Sequence, residues 1–195
     1  VQNRAKLIAK SQTVEFSSIV GIIKRTQLGV LGSIYAYSGA NTMYRKDALI
    51  DVGLFRQDRA TEDISIAWDH QMDGWLSLFA PRIMFFMEVP ESLKMLYRQR
   101  KRWAKGGTEV WLTNFKKVFL HPFDNVGRTI MFIDQSFSII WSFFFWISSA
   151  IFIWSLFQFA ITGNLERIYH MLTMAFLFVC FEMISGTFQL VASLI

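Results

Sequence analysis

The sequence predicts an α/β segment followed by a transmembrane helical hairpin. Helix and strand patterns alternate through the first part of the chain, an uncharged apolar run fills residues 135–161, and a second apolar run fills residues 168–195.

Residues 1–27 set Leu7, Ile8, Ile19, Val20, Ile22 and Ile23 among Lys and Arg, the pattern of a partly amphipathic helix that packs on a soluble domain or lies against a membrane. Gly29-Val30-Leu31-Gly32 interrupts it. Ser33-Ile34-Tyr35-Ala36-Tyr37 is rich in β-formers and runs into Ser38-Gly39-Ala40-Asn41, so a strand ending in a small-residue loop is predicted. Residues 46–52 read as a short helix ended by Gly53. Thr61 is a good N-cap for a helix through about Met72, stopped by Asp73-Gly74. Residues 75–87 read as one or two strands around Pro81. Pro90-Glu91 opens the next helix, because an early Pro loses no hydrogen bond and Glu suits the helix dipole. That helix carries Gln99, Arg102 and Trp103 before Gly106-Gly107. The sheet so implied is incomplete, with chemical groups projecting from strand ends and helix starts.

Residues 135–161 contain no charged side chain, and at about 1.5 Å per residue their helix reaches roughly 40 Å, enough for a tilted span. The second run is interrupted by Glu182, and Thr162-Gly163-Asn164-Leu165-Glu166-Arg167 reads as the tight turn between two spans. Glu182 and Gln189 fall on similar faces of the second helix. They would line a wet cavity such as a polymer channel or make a buried structural hydrogen bond.

The composition agrees: 53% hydrophobic, with 20 Phe and 7 Trp, exceeds what a soluble domain needs. The lone Cys180 excludes an intrachain disulfide and a thiolate cluster, and His70, His121 and His170 are scattered, so no metal ligand set is proposed. The net charge is +5, and between Lys94 and Arg128 nine Lys or Arg stand against Glu109 and Asp124. Such a run suits a solvated helix face or a nucleic-acid patch. Immediately before a span it favours a cytoplasmic juxtamembrane segment facing anionic headgroups, which places the preceding residues in the cytosol and the 162–167 turn outside. The chain opens with neither an initiator Met nor a signal peptide and reads as a C-terminal fragment.

Two motifs carry the chemistry. Gln99, Arg102 and Trp103 stand at i, i+3 and i+4, so a helix puts them on one face. They offer an amide, a guanidinium fork for phosphate oxygens and a flat ring for a sugar, or else a basic amphipathic helix anchored by its Trp. In Thr61-Glu62-Asp63 the two acids open a helix, where carboxylates are favoured simply as helix starters. The other reading is a general base that takes the proton of an attacking hydroxyl.

Taken together, Ser38-Gly39, Thr61-Glu62-Asp63-Ile64-Ser65-Ile66-Ala67-Trp68, Pro90-Glu91-Ser92-Leu93-Lys94 and Gln99-Arg100-Lys101-Arg102-Trp103-Ala104-Lys105-Gly106-Gly107 resemble processive glycosyltransferase family 2. With Glu15-Phe16-Ser17-Ser18-Ile19 and Ile23-Lys24-Arg25-Thr26-Gln27, the similarity runs from the first residues through about Asn114 and more loosely into the hairpin. The flanking residues are most similar to the bacterial branch that builds β-1,6-linked N-acetylglucosamine polymers.

The resemblance implies the C-terminal part of a nucleotide-diphospho-sugar transferase (GT-A-like) domain over residues 1–128 and a two-helix membrane domain over residues 129–195. It implies Asp63 as general base with Glu62 beside it, and Arg102 on the leaving diphosphate. Gln99 and Trp103 would line the acceptor end, while Ser38, Gly39 and Thr61 complete the substrate-binding set. A divalent cation, Mg or Mn, is implied, with its Asp-x-Asp ligands mainly outside this chain.

The function so implied is membrane-embedded, inverting, processive transfer of N-acetylglucosamine from UDP-N-acetylglucosamine to a β-1,6-linked exopolysaccharide of the biofilm matrix. The implied location is the bacterial inner membrane, multi-pass, with the catalytic part cytoplasmic. The expected partners are the UDP-sugar donor, the growing polysaccharide, the lipid bilayer and a small accessory membrane subunit, and no nucleic acid. This fragment alone is expected to be inactive. The alternatives are synthesis of another β-linked polymer of the cellulose, chitin or hyaluronan type, and a non-catalytic membrane scaffold or transport subunit.

Overall fold

A computed structural model of the chain describes residues 1–83, 85–163, 166, 168–176 and 178–180. These residues form two compact units, Val1–Phe137 and Ser138–Ile195. In the first unit a long helical stretch opens with α1 (Leu7–Phe16), passes through a π-helical segment (Ser17–Ile23) and the short α2 (Lys24–Thr26), and ends in a second π-helical segment (Gln27–Leu31). Gly32, at φ +60°, terminates it. Then come α3 (Lys46–Asp51), α4 (Glu62–Met72), α5 (Leu93–Leu120) and the start of α6 (Val126–Thr162).

Among the described residues there is no β-strand, which overturns the α/β, GT-A-like fold read from the sequence. The predicted strand at residues 33–37 is irregular backbone with a bend at Tyr35 and pairs with no strand among the described residues. Side chains satisfy much of its backbone instead, while the Tyr37 N–H donates to the Asp63 carbonyl at 3.4 Å. Gln71 of α4 takes the Ile34 N–H through Oε1 (2.9 Å) and donates through Nε2 to the Ile34 carbonyl (2.7 Å). The Tyr35 N–H donates to Gln27 Oε1 (3.3 Å), and the Trp68 indole N–H donates to the Tyr35 carbonyl (3.0 Å). Residues 75–87, read as strands around Pro81, contain turns and irregular backbone in their described part, with Met84 outside the described residues.

Other boundaries shift for local reasons. The helix expected to open at Pro90-Glu91 begins at Leu93, because Ser92 is the N-cap and its Oγ accepts the Met95 N–H at 3.4 Å. Gly106 and Gly107 do not end it, and α5 runs 28 residues to Leu120. Both glycines sit at close contacts, Gly106 against Thr61 and Gly107 against the Tyr35 hydroxyl, so here glycine provides space rather than a stop.

The core of the first unit is built from Ile64, Trp68, Val110, Val118 and Phe132, one apolar stripe each from α4, α5 and the first turns of α6. Phe132, 1% exposed, stacks on Trp111 at 5.9 Å between centroids and meets Trp68 edge-on at 5.5 Å. Arg128 is buried there, its guanidinium reaching the Gln71 carbonyl at 3.4 Å, so α6 is tied to the residue that clips Ile34.

In the second unit α6 continues with its apolar residues largely exposed. It is the one helix among the described residues that is long and apolar enough to cross a membrane by length and composition. The span expected at residues 135–161 lies inside it. It ends at Thr162, followed by Gly163 at φ +67°. A shorter apolar helix, Ile168–Cys180, follows. Trp141 of α6 stacks on Phe178 of that helix at 4.7 Å. Asn164, Leu165, Arg167 and the expected second span beyond Cys180, with Glu182 and Gln189, lie outside the described residues.

Candidate active site

The start of α4 gathers most of the predicted residues. Thr61 occupies the N-cap position but its side chain makes no cap hydrogen bond. It is 1% exposed and pressed against Gly106 of α5, with its hydroxyl unpartnered. The capping role passes to Asp63: its Oδ1 accepts the Ile64 N–H at 2.9 Å, and its Oδ2 accepts the Gly39 N–H at 3.3 Å. A Cβ on Gly39 would meet Glu62 Oε1 at 3.2 Å, so the Ser38-Gly39 loop touches both acids. Four of the predicted residues, Ser38, Gly39, Glu62 and Asp63, are thus brought together.

The loop is held from the other side by Lys24. Its half-buried ammonium donates to the Tyr37 carbonyl at 3.0 Å and to Ser38 Oγ at 2.6 Å. Burial lowers its pKa to about 8, against the opposing pull of the Asp63 charge. Burial raises the Asp63 carboxyl above its ordinary range and the Glu62 charge adds to this, while the Gly39 and Ile64 N–H groups and Lys24 oppose it. Tyr35 and Tyr44 are pushed up to about 12, chiefly by burial, with the Asp63 charge contributing to both.

α5 supplies the second group. Arg102 reaches Glu62 with 3.9 Å between Nη1 and Oε2, a loose pair in which both side chains are about half exposed (55% and 54%), so the guanidinium stays available to another anion. Trp103 meets Phe16 edge-on at 6.1 Å and carries the Arg100 guanidinium 4.4 Å above its ring. Arg100 in turn pairs with Glu15 at 2.6 Å, joining α5 to α1. Gln99 has its side-chain oxygen buried without a partner.

Lys24 was not among the residues singled out from the sequence. The available signal was a lysine directly after Ile19, Val20, Ile22 and Ile23, where a solvated cation is out of place. Glu109 was also missed. Its Oε2 accepts the Ala60 N–H at 2.9 Å and so fixes the approach to Thr61 from α5. No sequence pattern marks that contact.

Among the described residues no three His, Cys, Asp or Glu side chains converge into a cation site. Glu62 and Asp63 supply two carboxylates, with Arg102 standing against the first and two backbone N–H groups on the second. Such a set does not fit a divalent cation, and no chemical step is derived through one.

A cleft of about 1070 Å³ adjoins the site, sharing Lys24 and Ser38 with it and lined further by Phe16, Tyr37, Tyr44 and Trp75.

Residues 1–184 match the family described as Glycosyl transferase family group 2. A poly-beta-1,6-N-acetyl-D-glucosamine synthase of Staphylococcus aureus (strain COL) is 36% identical over 141 residues, covering 72% of this chain and 34% of that protein. The protein of the same name from Staphylococcus epidermidis is 37% identical over 147 residues, with the same coverage. The chain therefore spans about a third of the length of these curated relatives. No solved structure matches it. With Thr61-Glu62-Asp63 and Gln99 to Trp103 meeting at the Glu62–Arg102 pair, and with nearly the whole chain matched, this protein belongs to glycosyl transferase family group 2.

Proposed function

We propose that this chain is the acceptor and leaving-group part of a membrane-embedded, inverting, processive glycosyltransferase. It would add N-acetylglucosamine from UDP-N-acetylglucosamine to a β-1,6-linked exopolysaccharide of a biofilm matrix. The observation that carries the reading is Asp63: half-buried, oriented by the Gly39 and Ile64 N–H groups, and raised in pKa by burial and by Glu62. A carboxylate in that setting is a better base than one in water, because its proton affinity lies closer to the working pH.

In the proposed step the acceptor hydroxyl oxygen bonds to the anomeric carbon, its proton passes to Asp63, and the bond from that carbon to the diphosphate oxygen breaks. One base suffices for a single inverting displacement. Arg102, only loosely held by Glu62, takes the diphosphate oxygens through its planar fork. Trp103 and Gln99 receive the acceptor sugar, with Ser38, Gly39 and Thr61 framing it. Any divalent cation expected of such enzymes would draw its ligands from outside this chain, and Arg102 is the cation that this chain itself brings to the diphosphate.

Residues 1–128 would form the cytosolic part and residues 129–195 a membrane domain in which α6 crosses the bilayer. The basic residues of α5 would face anionic headgroups on the cytoplasmic side. The support is the length and apolarity of α6, together with the run of Lys and Arg before it.

The test is transfer from radiolabelled UDP-N-acetylglucosamine by the full-length protein in membranes. A β-1,6-linked N-acetylglucosamine polymer is expected, and Asp63→Asn is expected to lower its rate by about 10²–10⁴-fold with membrane insertion intact. Polymer from the glucose donor alone would sink the donor assignment. Undiminished synthesis by Asp63→Asn would sink the catalytic one and favour a scaffold or transport subunit.

A further inference from the structure

Lys24 lies between two π-helical segments, Ser17–Ile23 and Gln27–Leu31. Wide helical turns of this kind occur frequently at functional sites. Its ammonium bonds to Tyr37 and Ser38, the two residues immediately before the Gly39 N–H that reaches Asp63. Thr42 closes the same loop from within: its hydroxyl donates to the Ser38 carbonyl at 2.8 Å and accepts the Ser38 N–H at 3.1 Å. The loop that orients Asp63 is therefore fixed internally by Thr42 and externally by Lys24.

A half-buried ammonium is a costly way to fill space, since desolvation disfavours its charged form and an apolar side chain would pack there without that penalty. Burial indeed brings the Lys24 pKa down to about 8, yet at pH 7 the charged form still predominates. The cost is understandable if the charge has a task.

We propose that Lys24 is a positioning residue for glycosyl transfer: by holding Tyr37 and Ser38 it keeps the Gly39 N–H on the Asp63 carboxylate, which stays aimed at the acceptor hydroxyl. This rests on the reading of Asp63 as general base. Lys24 touches neither the donor nor the acceptor in this account, so its loss acts on the rate of the chemical step rather than on donor binding.

The experiment is steady-state transfer by the full-length protein in membranes, comparing the unaltered enzyme with Lys24→Met, Lys24→Arg and Asp63→Asn, alongside thermal unfolding of each in detergent. Lys24→Met is expected to lower kcat by about 100-fold, as misplacement of a reacting group does, with donor KM within about twofold. Lys24→Arg, which keeps the cation, is expected to recover most of that loss. If Lys24→Met unfolds early, Lys24→Gln, which is uncharged and one bond too short to hold both Tyr37 and Ser38, is read in its place with the same expectation. Undiminished kcat in the uncharged variant, equal losses in the uncharged and Arg variants, or a loss confined to donor KM, each with Asp63→Asn inactive, overturns this inference alone. Full activity in Asp63→Asn overturns the catalytic reading and this inference with it.

Discussion

Gly106, in the middle of α5, lies so close to Thr61 at the start of α4 that a Cβ on Gly106 would overlap the Thr61 hydroxyl. The contact sets how near the two helices approach, and so brings Glu62 of α4 within reach of Arg102 on α5. A helix interior normally favours Ala over Gly by about 1 kcal/mol. Here the sign is expected to reverse.

Gly106→Ala should destabilise the protein by about 1–3 kcal/mol, because neither the buried Thr61 nor the α5 backbone can yield without moving α4. Thermal unfolding in detergent measures this, and transfer activity should fall as well, since Glu62 and Asp63 move with the helix start. A variant more stable than the parent would show that the contact relaxes freely.

Asp63 should reveal its burial through pH. Its carboxyl titrates above the ordinary value of 3.8, so between that value and its folded-state pKa the folded state binds more protons than the unfolded one. Stability contributed by this site then falls as pH rises through that window, and the full penalty persists above it. Asp63→Asn removes the penalty. Its unfolding temperature should match that of the parent near about pH 3.5 and exceed it by pH 7. A variant less stable than the parent at pH 7 contradicts the assigned burial.

Phe132 joins α6 to the core through Trp68, Trp111, Phe115 and Phe119. Phe132→Ala is expected to cost about 3–5 kcal/mol, since so rigid a set of rings cannot close over the cavity. Phe137→Ala, at an exposed position five residues on, serves as the control and should change stability by less than about 0.5 kcal/mol in detergent. Equal effects at the two positions would place Phe132 outside the core.

Much of the helical layout was legible along the chain. The turn chemistry of Gly53 and of Asp73-Gly74 marks helix ends that the structure also has, and the uncharged run at residues 135–161 falls within α6. These features are local: a cap, a left-handed glycine or an unbroken apolar run acts over a few residues whatever surrounds it. The expected strands failed because pairing is not local. Residues 33–37 have strand-like composition, but Gln71, Gln27 and Trp68 take hydrogen bonds that a neighbouring strand would have taken. Nothing in the spacing of those three residues announces it.

By itself, the sequence determined that Gln99, Arg102 and Trp103 can share a helix face, that Glu62 and Asp63 begin a helix, and that a long apolar helix follows. Those are consequences of helical periodicity and of the dipole at a helix start. Tertiary structure alone decided that the Ser38-Gly39 loop closes on Asp63, that Lys24 grips that loop, and that Thr61 is buried against Gly106 instead of capping α4. Each depends on residues 14 to 45 positions apart meeting at van der Waals or hydrogen-bond distance. Such meetings are set by the packing of α4, α5 and the first turns of α6 around Trp68 and Phe132, which no local pattern encodes.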